Sequence, residues 1–423
     1  MNNETIFLSF PSLRGNEQAY VLNCLKSEWV STGGTYVSRF EQSLADYVGV
    51  PKAVACVNGT AALHVCLLLA GVQPGEEVIV PTLTFIAPVN TVRYVGAQPV
   101  FMDCDEYLNL DVQKLETFLE TECTPADNGV VNRATGRRIR AIIPVHVFGS
   151  MCDMGRFMAV ATKYRLVVIE DATEALGSRM KMAEGRSKIG DGRSKIEVVE
   201  ERTIPQLRSP NSDLPSPLCQ HAGKHAGTIG DFGCYSFNGN KIITCGGGGM
   251  IVARSPELLA SAEYLTTQAK DDGLHYVHNA IGYNYRLTAI QAAMGLAQLE
   301  QLPGFIETKR KRYLQYRERI EQIPGLSLLG VPSYCDSNYW LYSLVIEAQE
   351  YGIGRDELLK RFEAARIQTR PIWKLNHTQR PYLQNQAYQI EKATFYFERI
   401  LNIPSSVGLT DEEMERVVAV LRG

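Results

Sequence analysis

Three short segments of the chain carry residue types that could do chemistry together. The first is Ser236-Phe237-Asn238-Gly239-Asn240-Lys241, followed by the apolar Ile242–Cys245 and the glycines Gly246–Gly249. A lysine at the end of an apolar strand, bracketed by glycines, can sit where water is scarce. Desolvation favours the neutral amine that a Schiff base requires. The same pattern fits a surface lysine in a glycine-rich turn. The second segment, IEDATEALG from Ile169 to Gly177, puts Asp171 directly after an apolar run. If that run is a strand, Asp171 stands at its carboxyl end, the edge where open α/β sheets bind ligands. A carboxylate there can hold a proton on a ring nitrogen, or it can serve as a helix N-cap. The third segment is Asn58-Gly59-Thr60-Ala61-Ala62-Leu63. Strand, glycine turn and helix in that order make a phosphate cradle of backbone N–H groups. It is neither GxGxxG nor GxxxxGK[ST], which weakens any dinucleotide or nucleoside-triphosphate reading.

The elements that must position these residues alternate. Ala53–Val57 reads as a strand before a helix at Ala61–Ala70, and Glu77–Val80 as a strand before a helix near Ala87–Val95. Pro99–Asp103, Ala141–Val147 and Leu166–Ile169 repeat the strand pattern. Runs such as RLVVIED are apolar without alternation, as strands covered on both faces are. The expectation is an α/β protein with a mainly parallel sheet. After Ser255 the pattern predicts helices at Pro256–Tyr264 and Thr288–Leu302. A further helical stretch runs to about Ile323 and carries Lys309, Arg310, Lys311 and Arg312 as a solvated face. Trp340–Ile346 reads as a strand, Arg355–Ala365 as a helix, and a closing helix starts at Asp411. The division expected is a large domain over 1–255 and a smaller α+β domain over 256–423. Within the first, 180–224 reads as a surface insertion: GRSKI occurs twice, followed by an acidic run and Pro205, Pro210, Pro215 and Pro217.

Composition narrows the function classes. With 423 residues there is room for two to three domains, and 45% hydrophobic with 21% charged residues is a globular balance. The net charge of −3 gives no general pull on nucleic acid or an anionic membrane. No apolar stretch is long enough for a membrane span and no secretory signal is visible, so a cytoplasmic location is expected. Ten scattered cysteines without CxxC spacing read as reduced thiols. Cys219, His221 and His225 have ligand-like spacing but lack a fourth partner, and no metal is expected. His146 could be catalytic or structural. Trp340, Tyr342 and Trp373 read as core or substrate-wall residues.

Taken together, the three segments describe one site: a phosphate cradle, a carboxylate for a ring nitrogen, and a Schiff-base lysine. In that combination the chain resembles the nucleotide-sugar aminotransferases, the DegT/StrS-type branch of the aspartate-aminotransferase fold. SEWVSTGG, VNGTAALH, PTLTFIAPVN, IIPVHVFG, EDATEALGS, GTIGDFGCYSFNGNK, GGGGMI and GYNYRLTAIQAA carry the likeness. It covers almost the whole chain except Met180–Lys224, which departs from the family pattern.

The resemblance implies a pyridoxal 5'-phosphate (PLP/PMP) transferase fold and assigns roles. Lys241 would bind the cofactor covalently and shuttle the proton, and Asp171 would pair with the pyridinium nitrogen. Glu174 would lie near the phenolic oxygen, where relatives often carry Gln or His. Phe85 would stack on the ring, and Thr60, Ala61 and Ser236 would hold the phosphate. Asn284 would reach the phosphate of a neighbouring subunit, implying a homodimer with shared active sites. Trp29 and Thr32 would lie near the sugar nucleotide. The implied reaction takes the amino group of glutamate to a nucleotide-linked keto sugar. The subgroup most resembled acts at C4 of a UDP-linked 4-keto-6-deoxy-N-acetylhexosamine, in bacillosamine- or legionaminic-acid-type pathways. Alternatives are 3-amino transfer to a dTDP-keto sugar, a sugar dehydratase of the same fold, and a non-catalytic regulator. Lys241 argues against the dehydratases, which carry His at that position.

Overall fold

The computed structural model describes residues 4–181 and 221–423. Its centre is a ten-stranded sheet. The strands are β1 (Val54–Cys56), β2 (Glu77–Pro81), β3 (Gln98–Met102), the hairpin β4 (Cys123–Ala126) and β5 (Gly129–Asn132), and β6 (Arg138–Ile142). After β7 (Val167–Asp171) the chain forms a short edge, β8 (Arg179–Met180), and returns to the sheet with β9 (Phe232–Ser236) and β10 (Gly249–Ala253). The spatial order is β1-β10-β9-β7-β6-β2-β3-β15, where β15 (Ala387–Tyr388) comes from late in the chain, and along it only β10 runs against its neighbours. Helices cover it: α1 (Glu17–Ser27), α2 (Thr35–Val48), α3 (Gly59–Leu69), α4 (Ile86–Tyr94), α5 (Val112–Thr121), α6 (Met154–Tyr164) and α7 (Pro256–Thr266). The burial follows: every residue of β2 is buried, as is nearly all of α3. Unbroken apolar runs survive as strands because both faces are covered.

Helix α8 (Ala289–Ile320) spans 32 residues as one element, where two helical stretches are expected from the sequence. A capping box of Thr288 and Gln291 starts it. Pro303 removes one helical N–H donor within it. Packing of α8 against α1 and α2 carries the helix through that position. Its first half, down to Phe305, belongs to the core of the large sheet, and from Tyr313 onward it belongs to a second core. That core lies on a four-stranded sheet of β11 (Leu326–Leu328), β13 (Tyr342–Ile346), β14 (Arg370–Pro371) and β16 (Ile400–Ile403). The helices that follow are α9 (Ala348–Tyr351), α10 (Arg355–Ala364), α11 (Lys392–Arg399) and α12 (Asp411–Arg422); α10 and α12 supply this core's buried Leu358, Phe362, Met414 and Val417. The two cores meet along α8 and do not divide at 255/256: Leu259 and Ala262 of α7 pack in the first, and so do Trp340, Ile372, Leu375 and Tyr382 from the later chain. Ile6 packs in the second, joined to Ile367.

The basic cluster also differs from expectation. Arg310 and Arg312 reach Asp336 and Asp411, but Lys309 is only 2% exposed and donates to the Ser405 carbonyl. Burial pushes its ammonium down to about 7. The expected insertion falls, apart from its ends, outside the described residues. Those ends are pinned: the Met180 N–H donates to the Lys224 carbonyl and the Gly223 N–H to the Met180 carbonyl, both at 2.9 Å. β8 also pairs with β12 (Cys335–Asp336).

Candidate active site

The three chemical segments meet at one edge of the large sheet. Asp171 is the last residue of β7 and lies opposite Cys234 of β9. Two residues on, Ser236 ends β9 opposite Gly249, which itself lies opposite Cys56 at the end of β1. The chain then turns through Asn58 into α3. A methyl on Gly59 would lie 3.0 Å from both Ser236 Cβ and Thr173 Cγ2, so glycine lets this turn close on the two hydroxyl residues without displacing them. Gly59 and Thr60 form the first turn of α3, whose N–H groups have no partner within the helix, an arrangement suited to an anion. The Ala61 N–H is taken by the Asn58 side chain at 2.7 Å, an N-cap.

Asp171 is not a helix cap, since turns and no helix follow it. It is 2% exposed, and Thr173 N–H donates to its Oδ1 at 3.0 Å. Burial pushes the Asp171 carboxyl up, opposed by the Thr173 hydrogen bonds and the charge of Lys241. A buried carboxylate of this kind is stabilised by a cationic partner. Glu174 is buried too; burial pushes it up, against the pull of Lys241 and the Phe148 N–H. That N–H reaches Glu174 Oε2 at 2.9 Å, while Glu174 Oε1 lies 3.5 Å from Lys241 Nζ. Lys241 sits in the turn five residues past β9 rather than at a strand end, and its side chain is 12% exposed.

His146 resolves as structural. Its Nδ1 accepts the Cys152 N–H at 3.1 Å, so the other nitrogen carries the proton and donates to Glu170 Oε2 at 2.8 Å. Glu170 in turn accepts the N–H groups of Gly227, Ile229 and Gly230, tying β7 to the segment that enters β9.

The rim is open. Phe85 opens α4 and is 53% exposed; the loop before it is braced by Asn376, whose Nδ2 donates to the Thr82 and Thr84 carbonyls. Trp29 is 60% exposed, Thr32 is exposed, and the segment is tied to α8 by the Ala289 N–H on the Ser31 carbonyl at 2.6 Å. Asn284 is exposed on a strip that bridges back to Thr267. Within this one chain Lys241 and Glu174 converge on the floor, and Trp29, Thr32 and Asn284 are exposed. Sequence reading passed over Asn338, Asn376 and the contact of Trp340 with Lys241.

The chain matches the DegT/DnrJ/EryC1/StrS aminotransferase family over residues 11–198 and 216–422. It belongs to that family. A GDP-perosamine synthase of Caulobacter vibrioides is 34% identical, over 98% of this chain and 97% of that protein. One of Escherichia coli O157:H7 is 34% identical over 96% and 94%. Among solved structures, a DegT/DnrJ/EryC1/StrS aminotransferase from Brucella abortus superimposes with a TM-score of 0.78 at 25% identity, covering 96% of this chain and 95% of its own. DesI, solved with its TDP-sugar product, gives 0.79 at 26% over 99% and 92%. The fold is therefore that of the PLP-dependent aminotransferases, and this DegT-family chain is an enzyme of the nucleotide-sugar aminotransferase kind. The residues present fit PLP. The glycine-narrowed cradle suits the phosphate, and buried Asp171 offers the counter-charge for a protonated ring nitrogen. Lys241 would supply the amine. No helix among the described residues is long and apolar enough to cross a membrane.

Proposed function

We propose that the chain moves an amino group from glutamate to the keto carbon of a nucleotide-linked 4-keto-6-deoxyhexose, forming a 4-amino sugar for a surface glycan. The observation that carries this reading is the convergence of Lys241, Glu174, Asp171 and the Gly59–Ser236 cradle at one sheet edge. PLP, when bound, supplies a carbonyl carbon that takes up and returns an amino group, and a ring that draws electrons from the reacting carbon. Lys241 provides the tethering amine and, when free, moves a proton at Nζ. Asp171 holds the proton on the ring nitrogen. Glu174 keeps the Lys241 amine oriented from the floor.

A GDP-linked acceptor is favoured by the relatives named GDP-perosamine synthase, at 32–34% identity. The UDP-linked 4-keto-6-deoxy-N-acetylhexosamine is a second reading, favoured by AKDD at 269–272 and GYNYRLT at 282–288. The chain acts as a homodimer in this proposal, with Asn284 serving the partner's site. Support comes from the strip before Asn284, where Leu274, Tyr276 and Ile281 are 81%, 71% and 83% exposed. Mass spectrometry of products from GDP-, UDP- and dTDP-linked 4-keto and 3-keto sugars with glutamate tests the assignment. Amination of the GDP-linked 4-keto sugar supports the first reading, and of the UDP-linked N-acetyl sugar alone the second. Amination confined to a 3-keto sugar overturns both.

A further inference from the structure

We propose that Trp340 is a positioning residue for Lys241, holding its amine between the indole face and the Glu174 carboxylate. The proposal rests on Lys241 being the reacting amine. Lys241 Nζ lies 4.3 Å from the centroid of the Trp340 ring and 3.5 Å from Glu174 Oε1. An indole face attracts an ammonium group, and more so where water is excluded. Trp340 is 3% exposed. The edge of the same indole donates its Nε1–H to the Asn240 carbonyl at 2.7 Å. Asn240 immediately precedes Lys241, so one side chain meets both the backbone that enters the lysine and the amine at its far end. Ser9 donates to the same carbonyl at 3.2 Å.

Trp340 is itself held, and by the residue that holds Glu174. Asn338 is fully buried; its Oδ1 accepts the Trp340 N–H at 2.9 Å, and its Nδ2 donates to the carbonyls of Glu174 and Leu176 at 2.9 and 3.0 Å. One amide group thus fixes both neighbours of the Lys241 amine. The approach is close. A methyl on Gly149, whose φ is +91°, would lie 1.9 Å from Asn338 Oδ1. Between Asn338 and Trp340, Tyr339 adopts a φ of +52°, a left-handed conformation that costs a non-glycine residue energy. A lysine side chain freed from a covalent tether regains considerable rotamer entropy. The indole face and the carboxylate restrict it at the point where a proton must be delivered.

The test compares full-length wild type, Trp340→Phe and Trp340→Leu. Each is studied without cofactor and loaded with pyridoxamine 5'-phosphate, so that the lysine amine is free. A short pulse of acetic anhydride, read by site-resolved mass spectrometry, gives the ratio of acetylation at Lys241 to that at exposed Lys52. Trp340→Leu is expected to raise this ratio about fivefold, and Trp340→Phe, which keeps an aromatic face, less than about twofold. Trp340→Leu should also lower kcat about tenfold with the KM for glutamate within about threefold. A packing role alone would lower Tm and leave the labelling ratio of folded protein untouched, so an unchanged ratio in Trp340→Leu overturns the proposal. Equal kcat losses in Phe and Leu variants overturn it as well. If Trp340→Leu does not fold, Trp340→Met takes its place on the same ratio: Met labelled faster than Phe supports the proposal, and equal labelling overturns it. Failure of the Lys241 assignment is read separately, as turnover surviving in Lys241→Ala.

Discussion

Lys241 and Lys309 are both withdrawn from water, but in different company. Lys241 lies at the sheet edge with its side chain 12% exposed, beside a carboxylate and an indole face. Lys309 lies where the two cores change over, 2% exposed, with a backbone carbonyl as its acceptor and the Tyr342 ring 5.5 Å away. Burial alone pushes Lys309 down to about 7, into the range of a useful nucleophile. Nothing can reach it. Burial alone therefore does not single out a reacting amine; the neighbouring Glu174, the indole face and the cradle beside it are what propose Lys241 for that role.

The sharpest way to break this contrast is to remove each amine in turn. Lys241→Ala is expected to lower kcat by at least on the order of 10⁴-fold, with loss of the bound-cofactor absorbance. Lys309→Met, in the same assay, is expected to keep turnover. Retained turnover in Lys241→Ala would remove it from the mechanism.

Asp171→Asn tests whether the floor is tuned at the cofactor's expense. The amide is isosteric and neutral, so kcat is expected to fall on the order of 10³-fold while the cofactor stays bound. The folded-state carboxyl is pushed up, so the protonated form is favoured and stability is lost as pH rises through that raised value. Asp171→Asn should therefore raise the Tm of cofactor-free protein above the carboxylate range and leave it unaltered well below. A lower Tm at pH 8 would show that the carboxylate is already compensated within the chain.

How much of this was legible in the sequence depends on where each residue's partners lie. Asp171, Gly59 and Ser236 could be read because a strand, its end and the following turn are contiguous, and a sheet aligns such ends. Asn338 could not: its partner Glu174 is 164 residues away, and nothing local in DSNYW marks a buried amide. Both parts of α8 were legible as helical stretches, Thr288–Leu302 and a second to about Ile323, and in the fold they join across Pro303 into one helix. Lys309 hid in a run of four basic residues. It nevertheless falls on the stripe of Phe305, Tyr313, Tyr316 and Ile320 at helical spacing, and that periodicity was the available signal.

Asn284→Ala addresses the rim, where single-chain geometry leaves the residue exposed. Cofactor retention is expected to weaken about tenfold, with a smaller effect on kcat at saturating cofactor. Mixing Asn284→Ala with Lys241→Ala protomers separates the cases. If Asn284 serves its partner, a mixed dimer has one site with both lesions and one with neither, and activity should partly return. No return, with subunit exchange verified, would place Asn284 in its own chain's site or outside the mechanism.

The smallest effect on activity, and the clearest on stability, is expected from Lys309→Met. In the folded chain the amine releases its proton at about 7, whereas the unfolded chain holds it to 10.5. Between those pH values the unfolded state binds more protons, so wild-type stability rises with pH across that window. Above it, the lysine is neutral in both states and keeps its bond to the Ser405 carbonyl. Methionine is neutral throughout and fills a similar volume. The variant should therefore gain on the order of 3 kcal/mol over wild type near pH 7, after deducting the lost hydrogen bond. The gain should shrink as pH rises and reverse slightly near pH 10. Urea midpoints at pH 6.5, 8 and 9.5 measure it. Parallel pH curves for the two proteins would mean that Lys309 keeps its charge in the fold, and that its burial is compensated by the carbonyl and the Tyr342 ring.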